Sequence, residues 1–150
     1  MILMSITAIT FILIVLFSKK RISLIEIYAS TFSALYFQLI VDMFLHMKFQ
    51  LYGYFKEGVM DWKTMGTIPI YASVNILFLN FFPFKKKLYT KITYILVWSG
   101  ASVLYEWTAL QTDFFYYNGW NLWYSAICYP LLFTILIYNL KLIRKIKTAS

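Results

Sequence analysis

The side chains that could do chemistry in this chain lie on two periodic stretches of otherwise apolar sequence. Each stretch spaces its polar residues three or four apart: Gln38, Asp42 and His46 in one, and Ser99, Ser102 and Glu106 in the other. Such spacing places side chains on one face of a helix. Ionisable residues in apolar helices usually face the bundle interior and pair with one another. The pattern therefore predicts a polar site formed by Asp42, His46 and Glu106.

Three kinds of chemistry fit this candidate polar cluster. It could bind a divalent metal, relay a proton, or act as an acid/base pair. The alternative is structural: Asp42 and His46 are solvated in the membrane interface, while Glu106 accepts hydrogen bonds from Tyr or Ser hydroxyls and holds helices together. An Asp and a His four residues apart are a weak metal signal, because metal sites usually have three or four ligands with supporting partners. Both interpretations stay open, and no cofactor is expected.

The elements that position these residues must be membrane helices, because the composition leaves few alternatives. The chain has 150 residues, of which 61% are hydrophobic and only 13% charged. A soluble domain carries roughly 25% charged residues. So apolar a chain cannot cover itself with polar surface, and we predict a single membrane domain over residues 1–150.

Five apolar segments approach or exceed the roughly 20 residues that a helix needs to cross a bilayer. They cover residues 1–17, 22–47, 64–84, 92–110 and 120–140. None shows the two-residue alternation of a membrane β-barrel. The predicted fold class is therefore all-α, an integral membrane bundle of five transmembrane helices.

The basic residues predict the orientation of this bundle. With the N-terminus outside, eleven of the fourteen Lys and Arg residues fall in the inner segments. The three in the outer segments are Lys48, Lys56 and Lys63. This asymmetry follows the positive-inside rule and favours an N-outside, C-inside topology. The predicted location is the cell (cytoplasmic) membrane, crossed several times.

The net charge of +8 does not indicate nucleic-acid binding. The basic residues cluster just outside the apolar segments, so no basic face is left free of the membrane. The expected partners are membrane lipid and a protein partner or a second copy of the chain, with no nucleic acid.

The connection between the second and third segments is predicted to be an outer loop. Its aromatic residues are expected along the membrane interface, and Asp61 is positioned to cap the third helix. Within the third segment, Asn75 and Asn80 are predicted to hydrogen-bond neighbouring helices. Glu26, at the inner end of the second segment, is expected to pair with a nearby Lys or Arg.

Signatures of a named reaction are absent from the sequence. It contains no G-x-S-x-G, H-E-x-x-H, Walker A or C-x-x-C motif. We therefore expect a non-enzymatic protein that acts through partner proteins or lipid. Two alternatives remain: a membrane enzyme or ion-handling protein that uses Asp42, His46 and Glu106, and a subunit of a small oligomeric transporter in which Asn75 and Glu106 line the path.

Three stretches together carry a resemblance to a family. They are YGYFKEGVMDW at residues 52–62, NILFLNFFPF at residues 75–84, and YEW followed by FFYYNGW and YSAICYP. Over roughly residues 35–145 the chain resembles a family of small uncharacterised multi-span membrane proteins from low-GC Gram-positive bacteria. The resemblance implies a bacterial cytoplasmic-membrane protein, and it implies no activity and no catalytic residues.

Overall fold

The computed structural model describes residues 2–55 and 62–149, and these residues are mostly helical. The α-helices are α1 (Ile2–Phe17), α2 (Leu24–Asp42), α3 (Ile68–Phe81), α4 (Leu88–Leu110) and α5 (Leu122–Ala149). A π-helical stretch, Met43–Lys48, extends α2, and a 3₁₀ helix, Trp62–Thr67, leads into α3. The all-α class is confirmed, and each helix overlaps one predicted apolar segment. The predicted cap Asp61 and the outer Lys56 lie outside the described residues.

Three of the described helices are long and apolar enough to cross a membrane. They cover Leu24–Lys48, Thr64–Phe81 and Leu122–Ala149. Helix α1 is apolar but has only 16 residues. Helix α4 has 23 residues, yet Tyr, Trp, Ser and Glu side chains interrupt its apolar run. Length and hydropathy together therefore support a membrane protein with three candidate spans.

Helix α3 lies at the centre of the bundle. It packs against α1, α2 and α5, while α5 also packs against α2 and α4. Phe78 of α3 is fully buried, and its ring centroid lies 4.4 Å from that of Phe133 in α5. Trp98 of α4 meets the same ring edge-on. Aromatic clusters of this kind bury large areas and join helices from several directions.

One end of the bundle, here called the basic end, gathers the connection 18–23, the connection 82–87 and the C-terminal part of α5. The Asn80 side chain donates to the Lys19 carbonyl and accepts from the Arg21 backbone N–H. The Arg144 guanidinium lies 4.5 Å from the centre of the Phe84 ring. These contacts bring three separate basic clusters of the sequence to one end of the molecule.

The opposite end, here called the polar end, is closed by a two-stranded antiparallel ribbon. Strand β1 (Tyr52–Tyr54) pairs with β2 (Phe115–Tyr117), so that Tyr52 lies opposite Tyr117. The sequence predicts only an outer loop in the first of these regions. The structure has a paired strand there instead. Strand pairing is favoured because it satisfies backbone N–H and C=O groups that a loop packed on the bundle would leave without partners.

Backbone geometry at the ribbon ends explains how the chain enters and leaves it. Gln50 has a φ of 51°, a left-handed conformation that ends the preceding helical turn. Gly119 has a φ of 98°, and on either side of it the backbone N–H groups of Asn118 and Trp120 both donate to the Leu51 carbonyl. Only glycine adopts such a φ freely.

Candidate functional site

Glu106, in the last turns of α4, is buried and accepts three hydrogen bonds. Its Oε1 atom accepts from the Tyr117 hydroxyl at 2.6 Å and from the Ser125 hydroxyl at 2.7 Å. Its Oε2 atom accepts from the Tyr129 hydroxyl at 2.7 Å. A carboxylate only accepts, and three hydroxyl donors suit that capacity. Glu106 thus joins α4 to β2 and to two turns of α5.

The donors to Glu106 are themselves held in place. Ser125 Oγ accepts from the indole N–H of Trp120 at 2.8 Å, which directs the serine proton toward the carboxylate. Tyr117 is fixed by the ribbon. Burial and the hydrogen bond to Glu106 raise the pKa of Tyr117, so this hydroxyl keeps its proton and remains a donor.

Asp42, the last residue of α2, also binds a tyrosine of the ribbon. The Tyr52 hydroxyl donates to Oδ1 at 2.6 Å, and the Gln38 amide donates to Oδ2 at 3.3 Å. Burial, with a further contribution from the Asp42 carboxylate, raises the pKa of Tyr52. The predicted shared face of Gln38 and Asp42 is confirmed by this hydrogen bond.

His46 lies in the π-helical stretch that extends α2, and it contacts the ribbon through ring faces. Its imidazole stacks on the Tyr54 ring, with centroids 5.7 Å apart, and meets the Tyr52 ring edge-on at 6.1 Å. The wider winding of a π-helix changes which residues share a face, so an α-helical wheel does not describe this segment. Aromatic packing is the contact that positions the ring.

The ribbon contacts all three predicted site residues. Asp42 binds Tyr52 in β1, Glu106 binds Tyr117 in β2, and these tyrosines are register partners. Within residues 2–55 and 62–149, no hydrogen bond or ion pair joins Asp42, His46 and Glu106 to one another. They share the polar end and one aromatic layer, and each has its own partners.

The structural alternative expected Tyr or Ser hydroxyls at Glu106, and the structure identifies them as Tyr117, Ser125 and Tyr129. The tyrosines around Asp42 and His46 were not predicted. Tyr54 and Tyr71 belong to the same end of the molecule, and their hydroxyls lie 3.0 Å apart, within hydrogen-bond distance. Burial raises the pKa of Tyr54 well above its ordinary value. The aromatic–Gly–aromatic pattern of Tyr52–Tyr54 was the available signal, since aromatic residues at alternate positions are typical of strands.

The two serines predicted beside Glu106 do not reach it. Ser99 and Ser102 donate to the carbonyls of Ile95 and Trp98, each one turn back in α4. Such bonds satisfy a hydroxyl within its own helix. Ser99 and Ser102 therefore donate no hydrogen bond to the Glu106 carboxylate.

A metal site of the predicted kind needs at least three ligand side chains close together. Across the described ranges, no group of three or more His, Cys, Asp and Glu side chains is placed to hold a metal ion.

A second buried carboxylate lies at the basic end and has a different set of partners. Glu26 accepts from the Arg144 guanidinium at 3.0 Å and from the Ser23 backbone N–H at 2.8 Å. The Ser23 hydroxyl accepts from the Glu26 N–H in turn, which completes a capping box at the start of α2. The predicted pairing of Glu26 with a cation is confirmed.

Both third-segment amides form hydrogen bonds, but only Asn75 binds a neighbouring helix as predicted, while Asn80 binds a connection between helices. Asn75 donates to the Thr31 hydroxyl of α2 at 3.1 Å, and Asn80 binds the 18–23 connection. The Oδ1 atom of Asn75 is buried and has no hydrogen-bond partner. Because Asn75 contacts α2 in the bundle interior and Glu106 lies at the polar end, no shared hydrogen bond joins them in the described part of the chain.

Comparison with known proteins adds no relative: no family model, curated protein or solved structure matches the chain.

Proposed function

We propose that this protein is a five-span protein of the bacterial cytoplasmic membrane, with its N-terminus outside and its C-terminus inside. Three apolar helices support a membrane location, and α1 and α4 lie alongside them in the same bundle. The gathering of three basic clusters at one end supports the orientation, because basic residues accumulate on the inner side. The resemblance noted above supports a bacterial source.

Within that membrane, the protein acts without catalysis, through lipid or through a protein partner. One observation carries this proposal: the carboxylates of the polar end, buried Glu106 and half-buried Asp42, bind donors of the chain itself. Glu106 accepts from Tyr117, Ser125 and Tyr129, and Asp42 accepts from Tyr52 and Gln38. Groups that do chemistry on a ligand need an atom within reach of that ligand. Here those atoms hold the polar end closed.

A second candidate function is proton handling at the polar end. The observation that favours it is two short hydrogen bonds between tyrosine hydroxyls and carboxylates on the paired strands, Tyr52 with Asp42 and Tyr117 with Glu106. Buried ionisable groups in membrane helices often mark proton relays. In this function His46 lies beside these bonds, because its ring meets the Tyr52 ring edge-on with centroids 6.1 Å apart.

Glu106→Gln separates the two functions. If the carboxylate is structural, the variant lowers the amount of folded protein, and purified protein in liposomes carries no proton flux in either form. If it relays protons, wild-type protein acidifies liposomes that contain a pH-sensitive dye, and Glu106→Gln abolishes the flux at normal folded yield. Thr108→Gln, on an exposed position of the same helix, is the matched control.

The orientation has its own test, which uses single cysteines in a Cys128→Ser background. We expect an impermeant maleimide to label Asn118→Cys in intact cells, and to label Lys20→Cys only after the membrane is opened. Labelling with the opposite pattern would reverse the topology. Extraction of the protein by alkaline carbonate would contradict the membrane location itself.

A further inference from the structure

An apolar groove runs along the outer surface of the bundle between α2 and α3. Its volume is about 390 Å³, and α2 supplies every lining residue except Ile76 of α3. The α2 wall includes Leu24, Tyr28 and Phe32, whose side chains are 82%, 73% and 66% exposed. Exposed apolar side chains are expected wherever a membrane helix faces lipid, so what distinguishes this stretch is its concave shape between two helices.

Contacts within the protein hold this groove in shape. The Tyr28 and Phe32 rings stack, with centroids 6.5 Å apart, and form one wall. Behind them, Asn75 of α3 donates to the Thr31 hydroxyl at 3.1 Å and ties the two helices together. A groove that exists before its ligand arrives does not pay the entropy of ordering its walls.

The length of the groove matches one leaflet of a bilayer. Its lining runs from Leu24 to Leu35 along α2. At the helical rise per residue this distance is about 16 Å. The hydrocarbon core of a membrane is about 30 Å thick, so one leaflet takes up roughly half of it. The groove thus has the length of an acyl chain that begins at the basic end.

Cations surround the mouth of the groove at the basic end. The Arg21 guanidinium lies over the Phe81 ring, 5.3 Å from its centre, where α3 ends. The Lys147 ammonium donates to the Ser23 hydroxyl at 3.1 Å, next to the first groove residue, Leu24. The nearby acid Glu26 is already paired with Arg144 on the α5 side of α2. Positive charge therefore dominates the entrance.

We propose that this groove binds an acyl chain of an anionic phospholipid, whose phosphate lies against Arg21 and Lys147. The proposal rests on the membrane location given above and adds to it a lipid class and a site. Charge complementarity decides between lipid and a second copy. Two copies packed side by side in one membrane would bring identical basic ends together, which like-charge repulsion opposes. An anionic headgroup is attracted to the same cations.

The test uses full-length protein in phosphatidylcholine nanodiscs that contain a small fraction of phospholipid with a photoreactive acyl chain. The probe is photoreactive phosphatidylglycerol in one sample and photoreactive phosphatidylcholine in the other. After irradiation, mass spectrometry locates the labelled peptides. We expect phosphatidylglycerol to label residues 24–35 about fivefold more than phosphatidylcholine does, which corresponds to one lipid–cation contact.

Two pairs of variants separate the headgroup from the acyl chain. Arg21→Gln is expected to lower phosphatidylglycerol labelling toward the phosphatidylcholine level, while Lys87→Gln, with the same loss of charge at the start of α4, leaves it unchanged. Leu35→Trp fills the far end of the groove and is expected to reduce labelling of residues 24–35. Leu131→Trp, the same change at an exposed site of α5, is not.

Several outcomes would overturn the proposal. Equal labelling by both lipids that is insensitive to Arg21→Gln would mean ordinary lipid contact only. Cross-links between two protein chains through residues 24–35 would assign the groove to a second copy. If Arg21→Gln does not fold, Lys147→Gln is used instead. Phosphatidylglycerol labelling that Lys147→Gln leaves unchanged would then overturn the proposal. Failure of the protein to insert would instead contradict the proposed function, which carbonate extraction detects separately.

Discussion

Two buried carboxylates at opposite ends of this bundle are stabilised in opposite ways. At the basic end, Glu26 pairs with the Arg144 guanidinium and with the first turn of its own helix. At the polar end, Glu106 accepts from three hydroxyls, and no cation is within ion-pair distance of it in the described part of the chain. The two residues are buried to about the same extent, so the difference lies in their partners: a cation at the basic end and neutral hydroxyl donors at the polar end.

This difference indicates what each end can do. At the basic end Arg144 pairs with Glu26, while Arg21 lies at the mouth of the groove, where it can attract a second anion. At the polar end the Glu106 and Asp42 carboxylates already accept from donors of the chain, two of which are ribbon tyrosines. The basic end is therefore suited to binding an anion, and the polar end to holding α2, α4 and α5 together through the ribbon.

The largest expected effect comes from removing the acceptor at the polar end. Glu106→Leu leaves the hydroxyls of buried Ser125 and of half-buried Tyr117 and Tyr129 without their acceptor. We expect a loss of about 4 kcal/mol in the free energy of unfolding. Titration with a denaturing detergent in mixed micelles measures this quantity. Thr108→Leu, at an exposed position of the same helix, should change it little. A silent Glu106→Leu would contradict the closure interpretation.

A smaller effect is expected when a single donor of the ribbon is removed. Tyr117→Phe and Tyr52→Phe each delete one hydrogen bond to a carboxylate, which is worth roughly 2 kcal/mol. If the ribbon couples the two carboxylates, the double variant should lose less than the two single losses added together, with a coupling free energy above about 0.5 kcal/mol. Strict additivity would mean that Asp42 and Glu106 are independent anchors.

Gly53→Ala tests the packing of the ribbon itself. A Cβ atom at this position would lie 2.5 Å from Cζ of Tyr116, so the ring must move. We expect a loss of about 1.5 kcal/mol, within the range for overpacking. Gly100→Ala in α4 is the matched control, because nothing lies within 4 Å of its added Cβ atom. It should stabilise the helix slightly. Equal effects at the two positions would contradict the described ribbon.

The smallest effect is expected at the basic end. Arg144→Gln removes the cation that pairs with Glu26, and because the Arg144 side chain is 36% exposed we expect a loss of about 1 kcal/mol or less. The loss should shrink further in high salt, which screens exposed charges. The Glu106→Leu effect should not depend on salt. If the loss caused by Arg144→Gln did not change with salt, Glu26 would be shielded from solvent ions in the way expected for Glu106.

The sequence by itself determined the helices and the chemical character of the two ends. Long apolar runs predict helices because backbone groups in lipid must be satisfied within one segment. The position of basic residues beside those runs indicated which connections share an end. The i, i+4 spacing of Gln38 and Asp42 predicted their contact, and Glu26 was expected to find a cation.

Only the tertiary structure decided what surrounds the candidate site. Strands β1 and β2 have three residues each and lie about sixty residues apart in the chain, so neither has a strong local signal. Their pairing places Tyr52 and Tyr117 opposite each other and sends one hydroxyl to Asp42 and the other to Glu106. The partners of a buried carboxylate depend on which helix faces turn toward each other, and spacing within one helix carries no information about that choice.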